Sequence, residues 1–534
     1  MRRRGRAEAA VNGGAAMVMG AVLALTGAAS AAWTHLAGTP ARVAVVDEAG
    51  AALASAAWSL SQTEDGHAIA WVSHAAPVVW EGLVCAVGRI EGQAYVIAVR
   101  RSDGGIAWTG AIPAPFLDSW SSPAVDGGHG QVVMASGSEV RAFDAATGSL
   151  AWTCGLGRSV VNASPLITTD RGGRDRLFIT DYDGYLLFGG GRLYCVNIDA
   201  RDGALNPWDP GDIVWSVNLG RATSGNSVAY DGARVYVADG GNFNAGVPGS
   251  IRAFDAGAST APAALWTFSN VIGEGFYGGV SVATVNGVPG VYGASYAFYG
   301  GLDSANLVKV NAQTGALVWS VACNRTQSIP VPLGDGRVVL ATGIPGFGSV
   351  PSLQVFQESG GSAALVLDTA TQTWNDDGDG VLETGEYVPM GGWTHQAVVV
   401  VDDDATCAYV GTAPLSGGFG AYTDLRLVDL DVAPGSAGFV REQHAAGGGS
   451  VAVEGGTVYT VGASGLLAFG AWAAPPAYDV NGDGAIDVRD LLAWEQGMGA
   501  RDVDGDGTVD GEDRAALIAG LRAGEPLDII GGGA

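Results

Sequence analysis

The stretch Val140–Trp152, VRAFDAATGSLAW, returns later in the chain as Leu307–Trp319, LVKVNAQTGALVW. Each copy reads as a strand of alternating apolar residues, a turn that carries Asp or Asn and then Gly, and a strand that ends in Trp. Weaker copies occur throughout the middle of the chain, about every fifty residues. Their closing tryptophans, with those of the two clear copies, are Trp108, Trp152, Trp215, Trp266, Trp319 and Trp374.

Two further strands precede most of these hairpins, for example SSPAVDG and then QVVMASG. Four strands in a unit of about 40–50 residues are typical of a propeller blade. Because one such unit cannot cover both of its apolar faces, the units must stack around an axis. We expect the closing Trp of each unit to pack between neighbouring blades.

The two ends of the repeat region complement each other. Arg42–Trp58 resembles the outer half of a blade without inner strands, and Ser450–Trp472 resembles inner strands without an outer one. Joining them would close the ring and remove its unpaired strand edges. Seven complete units and this composite unit predict an all-β, eight-bladed propeller over residues 32–472, with seven blades as the alternative.

The motif AFDAATGSLAW and its relatives resemble the pyrroloquinoline-quinone (PQQ) type of propeller repeat, over roughly residues 42–472. This resemblance implies the fold. The family includes quinoprotein alcohol dehydrogenases and non-enzymatic assembly proteins, and the dehydrogenases carry two adjacent cysteines at the cofactor site. No two cysteines are neighbours in this sequence, so we expect no PQQ; the five are Cys85, Cys154, Cys195, Cys323 and Cys407.

The first 31 residues predict export. A basic start, a short apolar run and small residues near Ala31 have the order of a secretory signal peptide. The apolar run is shorter than the ~20 residues that span a bilayer, so we expect no transmembrane anchor. The destination would be extracellular, cell-surface or periplasmic. A net charge of -27 excludes nucleic acid as an expected partner.

Two carboxylate-rich loops near the C-terminus, YDVNGDGAIDVRD and RDVDGDGTVDGED, have calcium-binding spacing. Each supplies oxygen ligands at loop positions 1, 3, 5, 7, 9 and 12, with Gly at position 6, where the backbone turns sharply. The predicted ligands are Asp479, Asn481, Asp483, Ala485 (carbonyl), Asp487 and Asp490 in the first loop, and Asp502, Asp504, Asp506, Thr508 (carbonyl), Asp510 and Asp513 in the second.

A third loop, WNDDGDGVLETGEY, repeats this ligand order inside the propeller region and predicts a third Ca²⁺, with a bare acidic turn as the alternative. Its predicted ligands are Asn375, Asp377, Asp379, Val381 (carbonyl), Glu383 and Glu386.

Helical apolar spacing follows each of the two C-terminal loops. Duplicated EF-hand-type loops that end in Asp resemble a type I dockerin. The resemblance implies a small α-helical domain at residues 478–523, after a linker at 473–477 and before a flexible tail at 524–534. It also implies a cohesin-like partner module; a cell-surface component is the other attachment that we consider. Bound calcium is expected to stabilise so small a domain.

Loops between the second and third strands of successive blades are long, rich in Gly and aromatic. They are expected to gather on one face and to bind a glycan or a peptide, although their rings could instead pack within their own loops. The predicted ligand face comprises Phe243, Tyr296, Phe298, Tyr299, Phe347, Phe419 and Tyr422. His74 and His395 each precede an innermost strand and are expected to line the axial channel; metal binding or proton transfer is the alternative.

These features predict an exported, calcium-binding, non-enzymatic propeller that presents a recognition face and is attached through a dockerin-like domain. No catalytic residues can be assigned. The alternative is an extracellular polysaccharide-degrading enzyme, a glycoside hydrolase or a lyase rather than a quinoprotein dehydrogenase.

Overall fold

A computed structural model describes most of the repeat region and a small part of the C-terminal region. Residues 32–476 form one compact unit, and a helix near the C-terminus belongs to a second. The described residues are 33–48, 51–182, 190–203, 205–242, 246–270, 275–297, 305–343, 350–370, 390–401, 405–413, 420–434, 436–445, 447–470, 488–495, 514 and 517–518.

The described strands of the first unit form eight sheets around an axis, so the chain is an eight-bladed β-propeller, as predicted. Strands are numbered in chain order. Two strands precede the first complete blade, β1 Val45–Val46 and β2 Trp58–Leu60. Blade one contains β3 Ile69–Trp71, β4 Val78–Trp80, β5 Leu83–Ile90, β6 Gln93–Arg100 and β7 Ile106–Ala111; a short 3₁₀ turn, Phe116–Asp118, follows.

The next three blades are four-stranded antiparallel sheets in which consecutive strands pair. Blade two contains β8 Ala124–Asp126, β9 Gln131–Ser136, β10 Glu139–Asp144 and β11 Leu150–Gly155. Blade three contains β12 Leu166–Ile167, β13 Arg176–Thr180, β14 Arg192–Asn197 and β15 Ile213–Asn218. Blade four contains β16 Ala229–Tyr230, β17 Arg234–Asp239, β18 Ser250–Asp255 and β19 Trp266–Ser269.

The remaining blades repeat this pattern until the composite blade closes the ring. Blade five contains β20 Ser281–Val285, β21 Val288–Tyr296, β22 Ala305–Asn311 and β23 Leu317–Ala322. Blade six contains β24 Val331–Pro332, β25 Arg337–Thr342, β26 Ser352–Ser359 and β27 Ser362–Asp368. Blade seven contains β28 Val398–Val401, β29 Thr406–Gly411, β30 Asp424–Asp429 and β31 Val440–Ala445, and blade eight β32 Gly448–Glu454, β33 Thr457–Gly462 and β34 Gly465–Phe469.

Closure of the ring follows the prediction in part. Strand β2 pairs antiparallel with β34, with Trp58 opposite Ala468, and supplies the outer strand of blade eight. The prediction was wrong for Val45–Val46, which had been placed with Trp58 in the outer half of that blade. This apolar pair instead runs parallel to β28, with Val45 opposite Val399, and adds an innermost strand to blade seven.

The repeated turn explains why the blades stack. Asp144 Oδ1 accepts hydrogen bonds from the backbone N–H of Thr147 at 2.8 Å and from its hydroxyl at 2.7 Å, an Asx-type turn. Gly148 follows with φ of 70°, and a Cβ there would lie 2.7 Å from the indole of Trp108 in the preceding blade. Glycine is therefore needed both for its conformation and for the inter-blade contact, which confirms that the closing Trp packs between blades.

A second set of contacts joins the blades near the axis. A residue near the start of each innermost strand can donate its backbone N–H to the side chain at the equivalent position in the next blade. Five of the eight boundaries have this bond: Ala76 to Ser122, Ser122 to Ser164, Ser164 to Ser227, Ile329 to Gln396 and Gln396 to Ser450, at 2.8–3.0 Å.

The N-terminal residues 33–46, called here the axial segment, run through the centre of the ring. Innermost strands bond to it from several blades: Val79 N–H donates to the Trp33 carbonyl, Val125 N–H to that of Thr34, and Val399 N–H to that of Ala44, each at 2.8 Å. The buried Arg42 side chain donates to four further carbonyls: those of Val228, Leu36, Ser164 and Pro165. The axial segment thus fills the centre of the ring.

In the second unit, the described residues include one helix, α1 Val488–Glu495. Ala493 and Trp494 on α1 are buried together with Leu517, and Arg514 pairs with Glu495 at 2.6 Å. The predicted ligands of the two C-terminal loops lie outside the described residues, except that the backbone of Asp490 belongs to α1. Among the described helices, none is long and apolar enough to cross a membrane.

Candidate functional site

A cleft of about 630 Å³ opens at one end of the axis, on the face that carries the connections between blades. Blade one builds one wall, because its innermost strand is split. Strands β3 and β4 both pair with the long strand β5, and the segment between them carries His74 to the mouth of the cleft. The residues that line the cleft are Ala70, Trp71, Val72, Ser73, His74, Arg89, Leu117, Asp118, Trp120, Val161, Asn162, Tyr182, Ser224, Trp393 and Ala421.

A second part of the wall is the connection between blades one and two. Leu117 and Asp118 both have φ of 52°, a left-handed conformation that is unfavourable for Leu and better tolerated by Asp. Phe116 and Leu117 are 45% and 62% exposed, and the Phe116 ring lies 6.3 Å from that of Tyr182. Exposed apolar side chains on a strained segment at a cleft are a feature of binding sites.

An ion pair, Arg89 with Asp118, lies in the lining of the cleft. Arg89 at the end of β5 donates from Nη2 to Asp118 Oδ1 at 2.7 Å. The Asp118 side chain is 85% exposed and that of Arg89 34%, so this pair contributes little to stability. Both groups can therefore exchange their mutual bond for bonds to a ligand.

The two predicted channel histidines lie near this cleft, each a few residues before an innermost strand: His74 lines the cleft, and His395 is buried beneath it. His74 Nδ1 lies 2.7 Å from Thr394 Oγ1, which lies 2.9 Å from the Tyr422 hydroxyl. The Tyr422 ring stands between two imidazoles, 5.4 Å from that of His74 and 5.2 Å from that of His395. The tyrosine thus connects the two predicted histidines.

His395 has a structural role. Its Nε2 accepts a hydrogen bond from the Gly411 backbone N–H at 3.0 Å, and its side chain is fully buried. Burial lowers the pKa of His395 to about 3. The imidazole is therefore neutral near pH 7 and supports the floor of the cleft, whereas the half-buried His74 lines the cleft.

Two members of the predicted ligand face lie in the described residues, and both are buried rather than exposed. Tyr296 lies behind Trp393, with ring centroids 5.8 Å apart, and Tyr422 lies behind His74. Both rings pack against side chains outside their own loops. Phe243, Phe298, Tyr299, Phe347 and Phe419 lie outside the described residues, as do all predicted ligands of the third calcium loop.

Sequence reasoning missed the tryptophans of the cleft. Trp120 lies two residues before Ser122, just as His74 lies two residues before Ala76 and Thr394 two before Gln396. Ser122 and its equivalents form the inter-blade bonds near the axis. Aligning the repeats on this position would have placed Trp120 beside His74, where its ring centroid lies at 5.4 Å.

The described lining does not suit the quinone that the repeat family suggests. A polyanionic cofactor needs several cationic donors, and among the described residues of the cleft the one guanidinium, that of Arg89, is bonded to Asp118. The five cysteines are free and buried. Burial raises the pKa of the Cys85 and Cys195 thiols to about 12, which makes them unreactive.

Comparisons with known proteins agree with the propeller fold. Residues 39–206 match the family model described as outer membrane protein assembly factor BamB. This match covers less than half of the chain, so it identifies the type of propeller repeat and does not assign the whole chain to the family. A search of curated proteins found no match.

Solved structures extend the similarity to the whole ring. A europium-containing methanol dehydrogenase is 14% identical, with a TM-score of 0.52, over 85% of this chain and 94% of that chain. Quinohemoprotein alcohol dehydrogenase from Comamonas testosteroni is 13% identical, with a TM-score of 0.53, over 93% and 96%. BamB from Moraxella catarrhalis is 17% identical, with a TM-score of 0.48, over 78% and 96%. At such identities the similarity establishes the fold alone.

Proposed function

We propose that this chain is an exported, calcium-binding recognition protein whose propeller binds a glycan in the axial cleft and whose dockerin-like domain attaches it to a cohesin-like or cell-surface partner. The observation that carries the binding role is the composition of the cleft. Trp71, Trp120, Trp393 and Tyr182 provide flat apolar surface, and Asn162 and Ser224 provide neutral polar groups. Such a mixture suits a sugar ring, which has an apolar face and hydroxyls at its edge.

Binding without turnover is favoured by the ionisable groups of the cleft. Glycoside hydrolysis usually requires two carboxyl groups about 5–9.5 Å apart. The described lining contains one carboxylate, Asp118, and it is paired with Arg89. The matching family model is described as an assembly factor, which is also a binding role.

The axial segment supports the same proposal. Because residues 33–46 fill the centre of the ring, the cleft is a cup with a fixed floor rather than the entrance to an open channel. A preformed floor lowers the entropic cost of binding.

The test is binding of neutral oligosaccharides and of peptides to residues 32–534 in the presence of Ca²⁺, first on arrays and then by calorimetry. We expect Trp120→Ala to weaken glycan binding about tenfold or more. Trp80→Ala is the matched control, because Trp80 lies in blade one but outside the cleft lining. Equal binding by both variants, or peptide binding alone, would contradict the glycan proposal. Turnover of the bound glycan would favour the hydrolase or lyase alternative.

A further inference from the structure

A second pocket, of about 330 Å³, lies between blades three and four. It is formed by the turn between β12 and β13 and by the loops that follow β14 and β18. In an antiparallel meander these turns lie at the end opposite to the inter-blade connections, so this pocket and the axial cleft occupy opposite faces. Its lining comprises Arg171, Arg174, Arg176, Leu205, Pro207, Trp208, Ala256, Gly257, Ala258 and Ser259.

Three arginines converge on this pocket from one turn, RGGRDR at residues 171–176. The chain as a whole has twice as many acidic as basic residues, 54 against 27. Gly172 and Gly173 have positive φ, 57° and 77°, which lets the turn fold tightly between Arg171 and Arg174. A local concentration of positive charge on so acidic a protein is unexpected for a purely structural turn.

Arg176 forms the fixed base of the pocket. Its guanidinium donates to Asn197 Oδ1 at 2.7 Å and to Asn206 Oδ1 at 3.2 Å, and it lies 5.4 Å from the centroid of the Trp208 ring. These contacts orient the indole, which lines the pocket together with Leu205 and Pro207. The pocket therefore combines a rigid apolar surface with cationic groups.

The other two guanidiniums retain donors for a ligand. Arg171 bonds weakly to the Tyr230 hydroxyl at 3.4 Å, and its buried Nε has no hydrogen-bond partner. Arg174 is exposed. Among the ion pairs formed by the described residues, none includes Arg171, Arg174 or Arg176. A buried donor without an acceptor is rare in native proteins.

The nearby carboxylates are occupied elsewhere. Asp170 accepts from the Tyr230 hydroxyl at 2.9 Å, and Asp255 from the Gly257 backbone N–H at 2.8 Å. Asp175 accepts from the Thr168 hydroxyl at 3.0 Å and from the Arg171 backbone N–H at 3.1 Å. None of these oxygens neutralises the guanidiniums by direct contact.

We propose that this pocket binds an acidic sugar residue, with the oxoanion on Arg171 and Arg174 and the ring against Trp208. Guanidinium groups match planar oxoanions, and an indole matches a sugar ring. The net charge of the protein disfavours a densely charged polyanion, so one isolated oxoanion on a ring is the better fit. The proposal does not depend on the function of the axial cleft.

The experiment is calorimetric titration of residues 32–534 with glucuronate, glucose 6-sulfate, glucose and inorganic phosphate. We expect glucuronate, glucose 6-sulfate or both to bind, and added NaCl to weaken that binding; the two acidic sugars distinguish a carboxylate from a sulfate ligand. Glucose and phosphate are each expected to bind at least tenfold more weakly, since glucose lacks the oxoanion and phosphate lacks the sugar ring. If neither acidic sugar binds, or if glucose or phosphate binds equally well, the proposal is overturned.

Arg174→Gln is expected to weaken binding of the acidic sugar about tenfold, and the double variant Arg171→Gln/Arg174→Gln to abolish it. The matched control is Arg201→Gln, which removes the same charge from blade three but acts on an exposed guanidinium 3.5 Å from Asp209. Because Arg174 is exposed, its variant should fold normally. Unchanged affinity in Arg174→Gln, or an equal loss in Arg201→Gln, would overturn the proposal. Trp120→Ala should leave this binding unchanged.

Discussion

The imidazole Nε2 of His129 in blade two lies 3.1 Å from Asp199 Oδ1 in blade three. The other ring nitrogen, Nδ1, lies 2.8 Å from the buried carboxylate of Asp126. When protonated, His129 therefore joins two blades through two ion pairs. Asp175 also faces this cluster and lies close enough to influence the pKa of His129.

This cluster predicts a pH-dependent contribution to stability. The hydrogen bond to Asp126 raises the pKa of His129 above its usual value, and burial opposes this in part. A raised folded-state pKa gives stability that is complete below about pH 6.5, the unfolded value, and is lost as the pH rises through the folded pKa. The same sign holds for Asp175, whose pKa burial raises, but its contribution starts to fall near pH 3.8, the unfolded value for an aspartate, and so at lower pH than that of His129.

We therefore expect this contribution of His129 to the free energy of unfolding to fall as the pH rises above 6.5, and His129→Gln to reduce that fall, by at most about 1.4 kcal/mol per pH unit. Urea denaturation at several pH values measures this. His67→Gln is the control, since the exposed His67 lies 3.2 Å from the exposed Glu91 and should contribute little. Parallel curves for wild type and His129→Gln would contradict the prediction.

His395 predicts acid sensitivity with the opposite sign. Burial lowers its pKa to about 3, so the folded state resists protonation and stability is lost as the pH falls below about 6.5. His395→Gln can still offer an oxygen to the Gly411 N–H but cannot be protonated. The variant should lose less stability than the wild type between pH 6.5 and 4, by at most about 1.4 kcal/mol per pH unit. An identical acid dependence, measured by thermal unfolding, would refute this.

Substitution of Lys309, the only lysine of the chain, is expected to cause a large loss of stability. Lys309 in blade five is fully buried, and its Nζ lies 2.5 Å from Glu358 Oε1 in blade six. Lys309→Met leaves the carboxylate buried without its cation, so we expect a loss of about 3–5 kcal/mol in urea denaturation.

The double variant Lys309→Met/Glu358→Leu should recover most of this loss, because it removes both charges. Arg201→Met, at the exposed pair with Asp209, should cost less than about 1 kcal/mol. A single variant as stable as the wild type would contradict the prediction.

The sequence predicted the blades because their main contacts are coded locally. The spacing of Asp144, Gly148 and Trp152 recurs in every clear repeat, and the Trp of one blade covers the turn Gly of the next. The axial segment could not be predicted in this way. The hydrogen bonds between this segment and the blades are accepted mainly by the segment's own backbone carbonyls. They join residues as distant in sequence as Ala44 and Val399, so they leave no side-chain pattern in the sequence.

The candidate site was predicted less completely for a related reason. His74 and His395 were identified because each precedes an innermost strand, near the expected axial channel. The cleft also requires Trp120 and Trp393 from other blades, and only an alignment of the repeats on the innermost strands brings them together. Tyr296 and Tyr422 were expected to be exposed because their loops contain Gly, but both rings pack beneath other aromatic side chains.

The three predicted calcium loops can be tested by the number of Ca²⁺ ions that residues 32–534 bind. Asp479 to Asp513 contain eleven acidic and two basic residues, a charge of -9, whose repulsion bound Ca²⁺ would relieve. Calorimetry should give three Ca²⁺ per chain. Asp483→Ala, Asp506→Ala and Asp379→Ala should each remove one, since each substitution deletes the ligand at position 5 of its loop. If all three variants bind as many Ca²⁺ ions as the wild type, all three predicted sites are contradicted.

Arg42 predicts that the axial segment stabilises the whole ring. Its guanidinium is fully buried and bonds to the Val228, Leu36, Ser164 and Pro165 carbonyls at 2.9–3.0 Å, so it joins the segment to blades three and four. Arg42→Met would leave these buried carbonyls without that donor, and we expect a loss of about 3 kcal/mol or more in urea denaturation. Arg141→Met, which affects a half-buried guanidinium within blade two, should cost much less. If the two variants are equally stable, the axial segment only occupies the channel and does not hold the blades together.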